Sequence, residues 1–493
     1  MATQEGAAAE GKGKGESGGV GGKGWLWPRY NSPLVQVCII GAVCFCCPGM
    51  FNVLSGLGGG GQVSDQAANN ALTALYATFA VFGVLGGGIY NLFGPRICLF
   101  SGCTLYILYV GSFLNYNHTQ NEGFVVAAGA LLGVGAGLLW AGQGAIVTSY
   151  PPPQSKGRYI SIFWCIFNFG GVFGSFVPFV LNFNRQAGSV NDATYIAFMV
   201  IMSLGVLLTL TLATADRVVR DDGSRVATVK YSNPLAEGWE ILKLFRNPRL
   251  LMLFPACFAS NFFYTYQFNN VNGLLFNIRT RSFNNVFYWG AQMAGSLAIG
   301  FILDRSNSKR RTRGFIGLSV MAIFTTVVWG GALANQLHYS RHNHPSKLLD
   351  FKDSGSAYAG PFLLYFMFGL LDSMYQTLCY WIIGTLSQDS QSLSRYSGFY
   401  KGVQSAGGAI AWQVDQRGLP LLWELLINWI LLTISFPLVA LVLKDVKEAS
   451  TGKVEMEGMM GALEVVPRQA KDKEIDKDRN NLLKAQQNSS LVA

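Results

Sequence analysis

Long uncharged apolar stretches alternate with short polar segments along this chain of 493 residues. A helix needs about 20 mostly apolar residues to cross the hydrocarbon core of a bilayer. Nine stretches of that length contain no Asp, Glu, Lys or Arg: 34–57, 71–95, 97–117, 124–150, 159–184, 193–215, 250–278, 282–303 and 314–337. Three more contain one or two charged residues each: 359–384, 397–415 and 419–443. The pattern predicts an all-α integral membrane protein with twelve transmembrane helices.

The composition excludes an ordinary soluble enzyme. Charged residues make up 13% of the chain and apolar residues 50%, whereas about 25% of the residues in soluble proteins are charged. The net charge of +10 favours loops that face an anionic cytoplasmic leaflet, because the cations lie between apolar stretches and form no nucleic-acid-binding motif. No nucleophile, metal-ligand or cofactor-binding pattern stands out, so we predict no enzyme, no cofactor, no metal site and no nucleic-acid partner.

A long internal polar segment divides the chain into two halves. The segment 216–249 separates six predicted helices in 34–215 from six in 250–443. The tails 1–33 and 444–493 contain no long apolar stretch, which predicts disorder. We therefore expect two six-helix bundles, a cytoplasmic linker and two cytoplasmic tails.

The positions of Lys and Arg predict the orientation in the membrane. With a cytoplasmic N-terminus, 30 of the 37 Lys and Arg residues lie in cytoplasmic segments and seven in outside loops, in agreement with the positive-inside rule. The sequence Asn117-His118-Thr119 is an N-glycosylation acceptor, and this orientation places it outside. We expect both termini in the cytoplasm, and Asn117 is a candidate for glycosylation.

Small residues at four-residue spacing predict close helix packing. They occur in helices two, four and eleven at Gly83 and Gly87, at Gly129, Gly133 and Gly137, and at Gly398 and Gly402. Since helices in lipid associate through close contact of small residues, we assign these glycines to the fold and not to ligand binding.

A polar motif follows the second helix of each half. The corresponding residues are Gly87, Asn91, Gly94 and Arg96 in the first half, and Gly300, Asp304, Arg305 and Lys309–Arg311 in the second. Their equivalent positions indicate an internal repeat. Both motifs resemble partial copies of Gly-x3-Asp-Arg-x-Gly-Arg, the signature of the major facilitator superfamily. Asn91 replaces the Asp of the first copy, and Asn307 replaces the Gly of the second.

Further segments resemble one branch of that superfamily, which is named after the nematode uncoordinated ion-channel regulatory protein and has fungal members. These segments are 137–144 with Tyr150-Pro151, 261–269, Arg279-Thr-Arg281 and Tyr288-Trp289. The resemblance implies the major facilitator fold, in which two six-helix bundles enclose a central cavity. It also implies one of the functions found in the branch, which are regulation of potassium channels, trafficking of Toll-like receptors and presumed transport of small solutes.

Asp372 is the ionisable residue that the sequence places deepest in the membrane. It lies 13 residues into helix ten, so at 1.5 Å per residue it is about 20 Å below the outer surface. A carboxylate at that depth costs about 2.5–3.5 kcal/mol, so it should face the interior and have a partner. Tyr375, Gln376 and Tyr380 share the predicted face and complete a candidate solute or proton site. The alternative is a structural Asp that accepts hydrogen bonds from a neighbouring helix.

Helix seven carries a second polar stripe. Asn261, Thr265, Asn269 and Asn272 recur at near-helical spacing, so one face presents amides to the interior. Gln143 in helix four is a similar candidate. These residues either line a solute path or hold helices together by hydrogen bonds.

The other charged residues within predicted helices have interfacial explanations. Lys401 lies about one turn from the cytoplasmic end of its apolar stretch and can extend its ammonium group to the surface. Glu424 lies about two turns from the outside end. We expect both near the membrane surfaces.

The two polar motifs are candidates for a cytoplasmic gate. Asn91, Arg96, Asp304 and Arg305 can pair with neighbouring helix ends and hold one arrangement of the bundles. The alternative is that the cations only fix the orientation.

The leading functional hypothesis is transport of a small polar solute or ion by alternating access, with proton coupling through Asp372. The alternative is a non-transporting regulator or trafficking scaffold that binds a membrane protein such as an ion channel. The expected surroundings are the lipid bilayer of the plasma membrane or of an endosomal or vacuolar membrane.

Overall fold

The structure is a computed structural model that describes residues 29–57, 66–152, 155–181, 183, 191–220, 223–226, 233–305, 308–341, 343 and 348–446. Most of both predicted tails and Asn307 lie outside these residues. The described chain is helical, and its extended pairings are limited to two isolated bridges.

The first half is built from α1 to α6, with these bounds: α1 Pro33–Cys46, α2 Pro48–Gly56, α3 Gln66–Thr119, α4 Glu122–Ser149, α5 Lys156–Leu181 and α6 Asp192–Thr209. Pro48 separates α1 from α2 within the first predicted membrane helix. The long α3 covers the second and third predicted helices. Gly94 bends α3 between them with φ 77°, a conformation that glycine adopts readily.

The linker and the second half follow. The linker holds a 3-10 turn, Ala215–Arg217, and the short helix α7, Pro234–Leu244. The second half contains α8 Pro248–Ala259, α9 Ile278–Leu303, α10 Arg310–Gln336, α11 Ser356–Leu386, α12 Ser390–Gln416 and α13 Leu421–Lys444. Within the described residues, nine helical segments are long and apolar enough to cross a membrane, α3 counting as one of them. The number of twelve spans stays a prediction.

The predicted seventh helix is not continuous. α8 ends at Ala259, and a π-helix follows at Tyr266–Gly273. The wider turn suits a segment whose asparagines bond to separate elements. Their Nδ2 atoms donate from Asn269 to Asp415 (2.7 Å), from Asn270 to Glu424 (2.7 Å) and from Asn272 to the carbonyl of Gly56 (3.3 Å). The single polar stripe expected from α-helical spacing is therefore wrong.

Asparagine side chains begin many of the helices. The Oδ1 atoms of Asn121, Asn191, Asn233, Asn247 and Asn277 accept a backbone N–H from the first turns of α4, α6, α7, α8 and α9. A helix start leaves four N–H groups without intrahelical partners, and an Asn at this position satisfies one of them. The polar residues between apolar stretches thus fix where the helices begin.

Glycines bring the two halves into backbone contact. A Cβ atom on Gly83 of α3 would lie 2.7 Å from the backbone nitrogen of Gly402 in α12, and one on Gly398 would lie 2.7 Å from the carbonyl oxygen of Gly83. α5 packs against α9 on the other side of the molecule. The predicted packing role of these glycines is confirmed.

Candidate functional site

A cavity of about 50 Å³ lies between the two halves. Its first-half wall is mainly apolar and aromatic and includes Phe51, Phe79, Tyr106, Trp140, Trp164 and Phe167. The second half contributes polar side chains, namely Asn261, Tyr264, Gln376, Lys401 and Gln404. An aromatic chamber with a few convergent polar groups is typical of small-molecule sites.

Asp372 lies fully buried behind this cavity. Its Oδ2 atom accepts hydrogen bonds from the Tyr264 hydroxyl (2.9 Å), the Tyr288 hydroxyl (3.3 Å) and Gln292 Nε2 (2.7 Å). Its Oδ1 atom accepts one from Gln376 Nε2 at 2.6 Å. Four neutral donors from three parts of the second half therefore replace the water that a carboxylate loses on burial.

Lys401 also lies in the centre of the protein, which corrects the prediction of a surface-reaching lysine. It is 3% exposed, and its Nζ atom donates to Gln404 Oε1 at 2.7 Å and Gln376 Oε1 at 3.4 Å. The rings of Trp140, Tyr400 and Tyr380 surround the ammonium group with their centroids at 4.5, 5.1 and 5.3 Å. The sequence-based depth was wrong because α12 begins at Ser390, which places Lys401 near the middle of the helix.

Gln376 connects the two buried charges. Its Nε2 atom donates to Asp372, and its Oε1 atom accepts from Lys401 and, at 3.1 Å, from Gln404 Nε2. The Gln376 amide thus links the Asp372 carboxylate to the Lys401 ammonium through two hydrogen bonds. Lys401 and Gln404 were not among the candidates that the sequence suggested, although an ionisable residue within a predicted helix was a signal for Lys401.

The remaining predicted site residues divide between the cavity and other places. Asn261 lines the cavity, whereas Thr265 is buried outside its lining. Tyr380 donates to Gln143 Oε1 at 3.1 Å and so links α11 to α4 across the two halves. Tyr375 instead bonds to the Ala256 carbonyl (3.3 Å) and to Ser435 Oγ (2.9 Å), between α8 and α13. The structure therefore does not place Tyr375 with Asp372.

Glu424 lies in the first turn of α13, at the end of its stretch where it was expected, and belongs to a buried charge cluster. It is 3% exposed and forms an ion pair with Arg341, which also pairs with Asp415 at 2.6 Å. Burial disfavours the charged form of Arg341, but the two carboxylates outweigh it and raise the pKa of the guanidinium. Asn269 and Asn270 bond to the same two carboxylates. This cluster ties the π-helix to α12 and α13.

Asp304 joins the halves at the end of α9. Its carboxylate accepts the backbone N–H of Gly157 (3.1 Å) and of Arg158, in the first turn of α5. Negative charge is favourable at a helix N-terminus. Nearby, Lys156 Nζ donates to the Gly384 carbonyl at 2.7 Å. Of the two predicted gate residues in this motif, Asp304 makes a contact between halves, and Arg305 is exposed.

The first copy of the motif makes a contact with different chemistry. Asn91 accepts from Ser394 Oγ at 2.7 Å, so it joins α3 to α12. The superfamily motif has an Asp where this chain has Asn91, and here a carboxylate is contributed by Glu237 of the linker helix α7. Arg395 of α12 donates to its two oxygens, from Nη2 at 2.6 Å and from Nε at 2.9 Å. Arg96 bonds to the Leu212 carbonyl within the first half, so it does not join the halves.

Asn117 lies in the last turn of α3, and its Nδ2 atom donates to Asp192 Oδ1 at 2.7 Å. A glycan on that nitrogen would need this contact to rearrange. Glycosylation of Asn117 stays a prediction.

An all-helical body with a polar and aromatic cavity between two halves defines a membrane transporter fold. Residues 37–412 match the profile of the Major Facilitator Superfamily. The chain belongs to this superfamily and, within it, to the UNC93-like branch.

Two relatives support that assignment. The chain is 62% identical to UNC93-like protein 1 of Arabidopsis thaliana over 414 residues, which are 84% of this chain and 90% of the relative. It is 44% identical to an UNC93-like protein of Schizosaccharomyces pombe over 82% of this chain and 80% of that one. The predicted resemblance to this branch of the superfamily is confirmed by a plant relative as well as by a fungal one.

Two solved structures show the same fold at low sequence identity. The proton:xylose symporter XylE matches with a TM-score of 0.57 at 13% identity, covering 85% of this chain and 96% of its own. The transporter FucP in its outward conformation matches with a TM-score of 0.57 at 12% identity, covering 83% and 98%. At such identities the likeness concerns the fold alone. The superfamily consists of transporters and not, in general, of enzymes.

Proposed function

We propose that this protein transports a small polar solute across its membrane by alternating access. The observation that carries the proposal is the cavity between the two halves, in which Lys401, Gln376, Gln404 and Asn261 face aromatic rings of the other half. A site between two bundles is accessible to each side in turn when the bundles rock against each other. A scaffold does not require this cavity, so that alternative is not favoured.

Polar contacts between the halves lie on both sides of the cavity and supply the gates that rocking has to break. On one side are the contacts of Asp304 with α5, of Lys156 with Gly384, and of Asn91 with Ser394. On the other are hydrogen bonds from Asn69 to Gln416 (3.1 Å), from Gln413 to Thr73 (2.9 Å) and from Asn272 to Gly56 (3.3 Å). Each set consists of a few hydrogen bonds, which a modest change in free energy can release.

We expect Asp304→Asn to shift the protein toward the form that is open at the α5–α9 end. Burial raises the pKa of Asp304, although the N–H groups of Arg158 and Gly157 favour its charged form. The variant therefore removes a charge that is costly to bury, and we expect it to fold. The lost charge weakens the cap on α5 by about 1 kcal/mol, which shifts the ratio of the two forms about fivefold.

Cysteine accessibility measures this shift. Ser161 is buried between α5 and α9 and donates to the Ser296 carbonyl, so Ser161→Cys should react with a polar thiol reagent only when that end opens. Asn52→Cys reports from the cavity, where Asn52 is half-buried. Arg305→Gln is the matched control because it changes an exposed charge beside Asp304. If each reporter is labelled at the same rate in Asp304→Asn as in the parent protein, Asp304 does not act as a gate.

The orientation also needs a direct test. We expect an epitope tag inserted at Gln120, between α3 and α4, to be accessible from outside intact cells, because 30 of 37 cations then lie inside. A tag at the C-terminus is the internal control and should require permeabilised cells. Staining of the Gln120 tag only after permeabilisation would contradict this orientation in a plasma-membrane protein. In sealed endosomal or vacuolar vesicles with the cytoplasmic face outward, the Gln120 tag should be protected and the C-terminal tag accessible.

A further inference from the structure

The cavity holds a buried ammonium group that lacks a carboxylate in direct contact. Lys401 is the charged residue among the described residues that line the cavity, and the ion pairs of the described chain do not include it. Asp372 is separated from it by Gln376 and is already satisfied by four neutral donors. The Lys401 ammonium therefore has no counterion in direct contact within the described chain, and it can attract a negatively charged ligand.

The cavity wall also holds a hydrogen-bond donor without a partner. The indole N–H of Trp164 lines the cavity and has no acceptor within the described part of the chain. Donors buried without partners are costly, and a ligand that brings acceptor atoms removes that cost. An anion brings only acceptors.

The opposite wall determines what the anion is attached to. Phe51, Phe79, Trp140 and Phe167 present rings and not polar groups. An inorganic anion such as chloride or phosphate would leave this apolar surface without contacts, whereas an apolar body buries it at about 25 cal/mol per Å². We propose that the cavity binds a small organic monoanion, with its carboxylate at Lys401 and an apolar, ring-sized body against the aromatic wall. The inference rests on the proposed transport function, since it names the class of solute for that cavity.

Three probes of nearly equal shape separate charge from shape. Benzoate, benzamide and benzamidine carry a negative, neutral and positive group on the same ring. Each is titrated into the purified full-length protein in detergent, and binding is followed by tryptophan fluorescence and by the unfolding midpoint, which rises with a ligand that binds only the folded state. We expect benzoate to bind at least about tenfold more tightly than benzamide, and benzamidine to bind most weakly.

Substitutions locate the charge. Lys401→Gln should weaken benzoate binding about 10- to 100-fold and leave benzamide binding unchanged. Lys243→Gln is the matched control, because Lys243 is exposed on α7 and pairs with Glu240. If Lys401→Gln does not fold, Trp164→Phe decides the question, since it keeps a ring and removes the free N–H, and it should weaken benzoate binding several-fold.

The outcomes keep the two proposals apart. Equal binding of benzoate and benzamide, or no benzoate binding up to about 10 mM, overturns the organic-anion proposal and leaves transport of another solute standing. Benzoate binding that depends on Lys401 supports the anion site. If the Ser161→Cys and Asn52→Cys reporters never change accessibility in the same protein, transport by alternating access is contradicted while the anion site stands.

Discussion

Asp372→Asn should make the balance between the two open forms independent of pH. The substitution keeps the shape and most hydrogen bonds of the side chain but removes the group that titrates. In the parent protein, protonation at low pH removes the negative charge that four donors and, through Gln376, Lys401 stabilise. Whatever the pH, the variant should therefore behave as the parent does at low pH. We expect the ratio of the labelling rates of the two cysteine reporters to stay constant between pH 5 and 8 in the variant.

The titratable neighbours of Asp372 are Tyr264 and Tyr288, which donate to it, Tyr76 of α3, and Lys401 beyond Gln376. Tyrosines titrate near pH 10 in water, so a transition between pH 5 and 8 that vanishes in Asp372→Asn belongs to the carboxyl group or to its coupling with Lys401. Because thiol reactivity itself depends on pH, only the ratio of the reporters is compared.

Asp353→Asn is the matched control for Asp372→Asn. Its side chain is 63% exposed and lies 3.5 Å from Arg279 in a polar loop, so the same chemical change should leave the pH dependence unaltered. If well-folded Asp372→Asn follows the pH dependence of its parent, the residue is structural and proton coupling through it is wrong.

Glu237→Ala should destabilise the protein more than any other single substitution in the linker helix. Glu237 and Arg395 form a bidentate ion pair whose side chains are 2% and 10% exposed. Removing one partner of such a pair leaves the other charge buried without compensation, which costs about 3–5 kcal/mol. The measurement is the denaturant or thermal unfolding of the purified protein.

A neighbouring pair on α7 provides the control. Glu240 and Lys243 also lie 2.6 Å apart, but their side chains are 40% and 54% exposed. Glu240→Ala should cost less than about 1 kcal/mol, because water screens an exposed pair. The double variant Glu237→Leu with Arg395→Leu should recover most of the stability that Glu237→Ala loses. Equal effects of Glu237→Ala and Glu240→Ala would mean that α7 is not fastened to α12 by this pair.

The Glu237 contact also explains why the first polar motif tolerates Asn91. The Nδ2 atom of Asn91 lies 3.4 Å from Oε2 of Glu237. An Asp at position 91 would place a carboxylate oxygen there instead. Two carboxylates so close repel each other, whereas the amide donates to one. The linker helix thus supplies the negative charge for this end of α12, and the altered motif is consistent with its new partner.

Burial was predicted correctly for a residue that lies far from both ends of its apolar stretch. Asp372 was expected to be buried and to have partners, and it accepts four hydrogen bonds. Lys401 was misplaced because the end of an apolar stretch is not the end of a helix. α12 begins at Ser390, seven residues before the stretch 397–415. Glu424 lies in the first turn of α13, near the end where it was expected, but its ion pair with the loop residue Arg341 was not predicted.

The sequence by itself determined the membrane class, the positions of the long apolar helices, the close-packing role of the glycines and the family. Each of these depends on composition, on spacing within one segment or on similarity to relatives, and all are present before the chain folds. The tertiary structure decided which polar groups meet. Lys401 contacts Trp140, Arg395 binds Glu237 and Asp304 caps α5 across separations of 146 residues or more in the chain. Pairs so far apart leave no periodic signal in one sequence, because only the packing of the two halves brings them together.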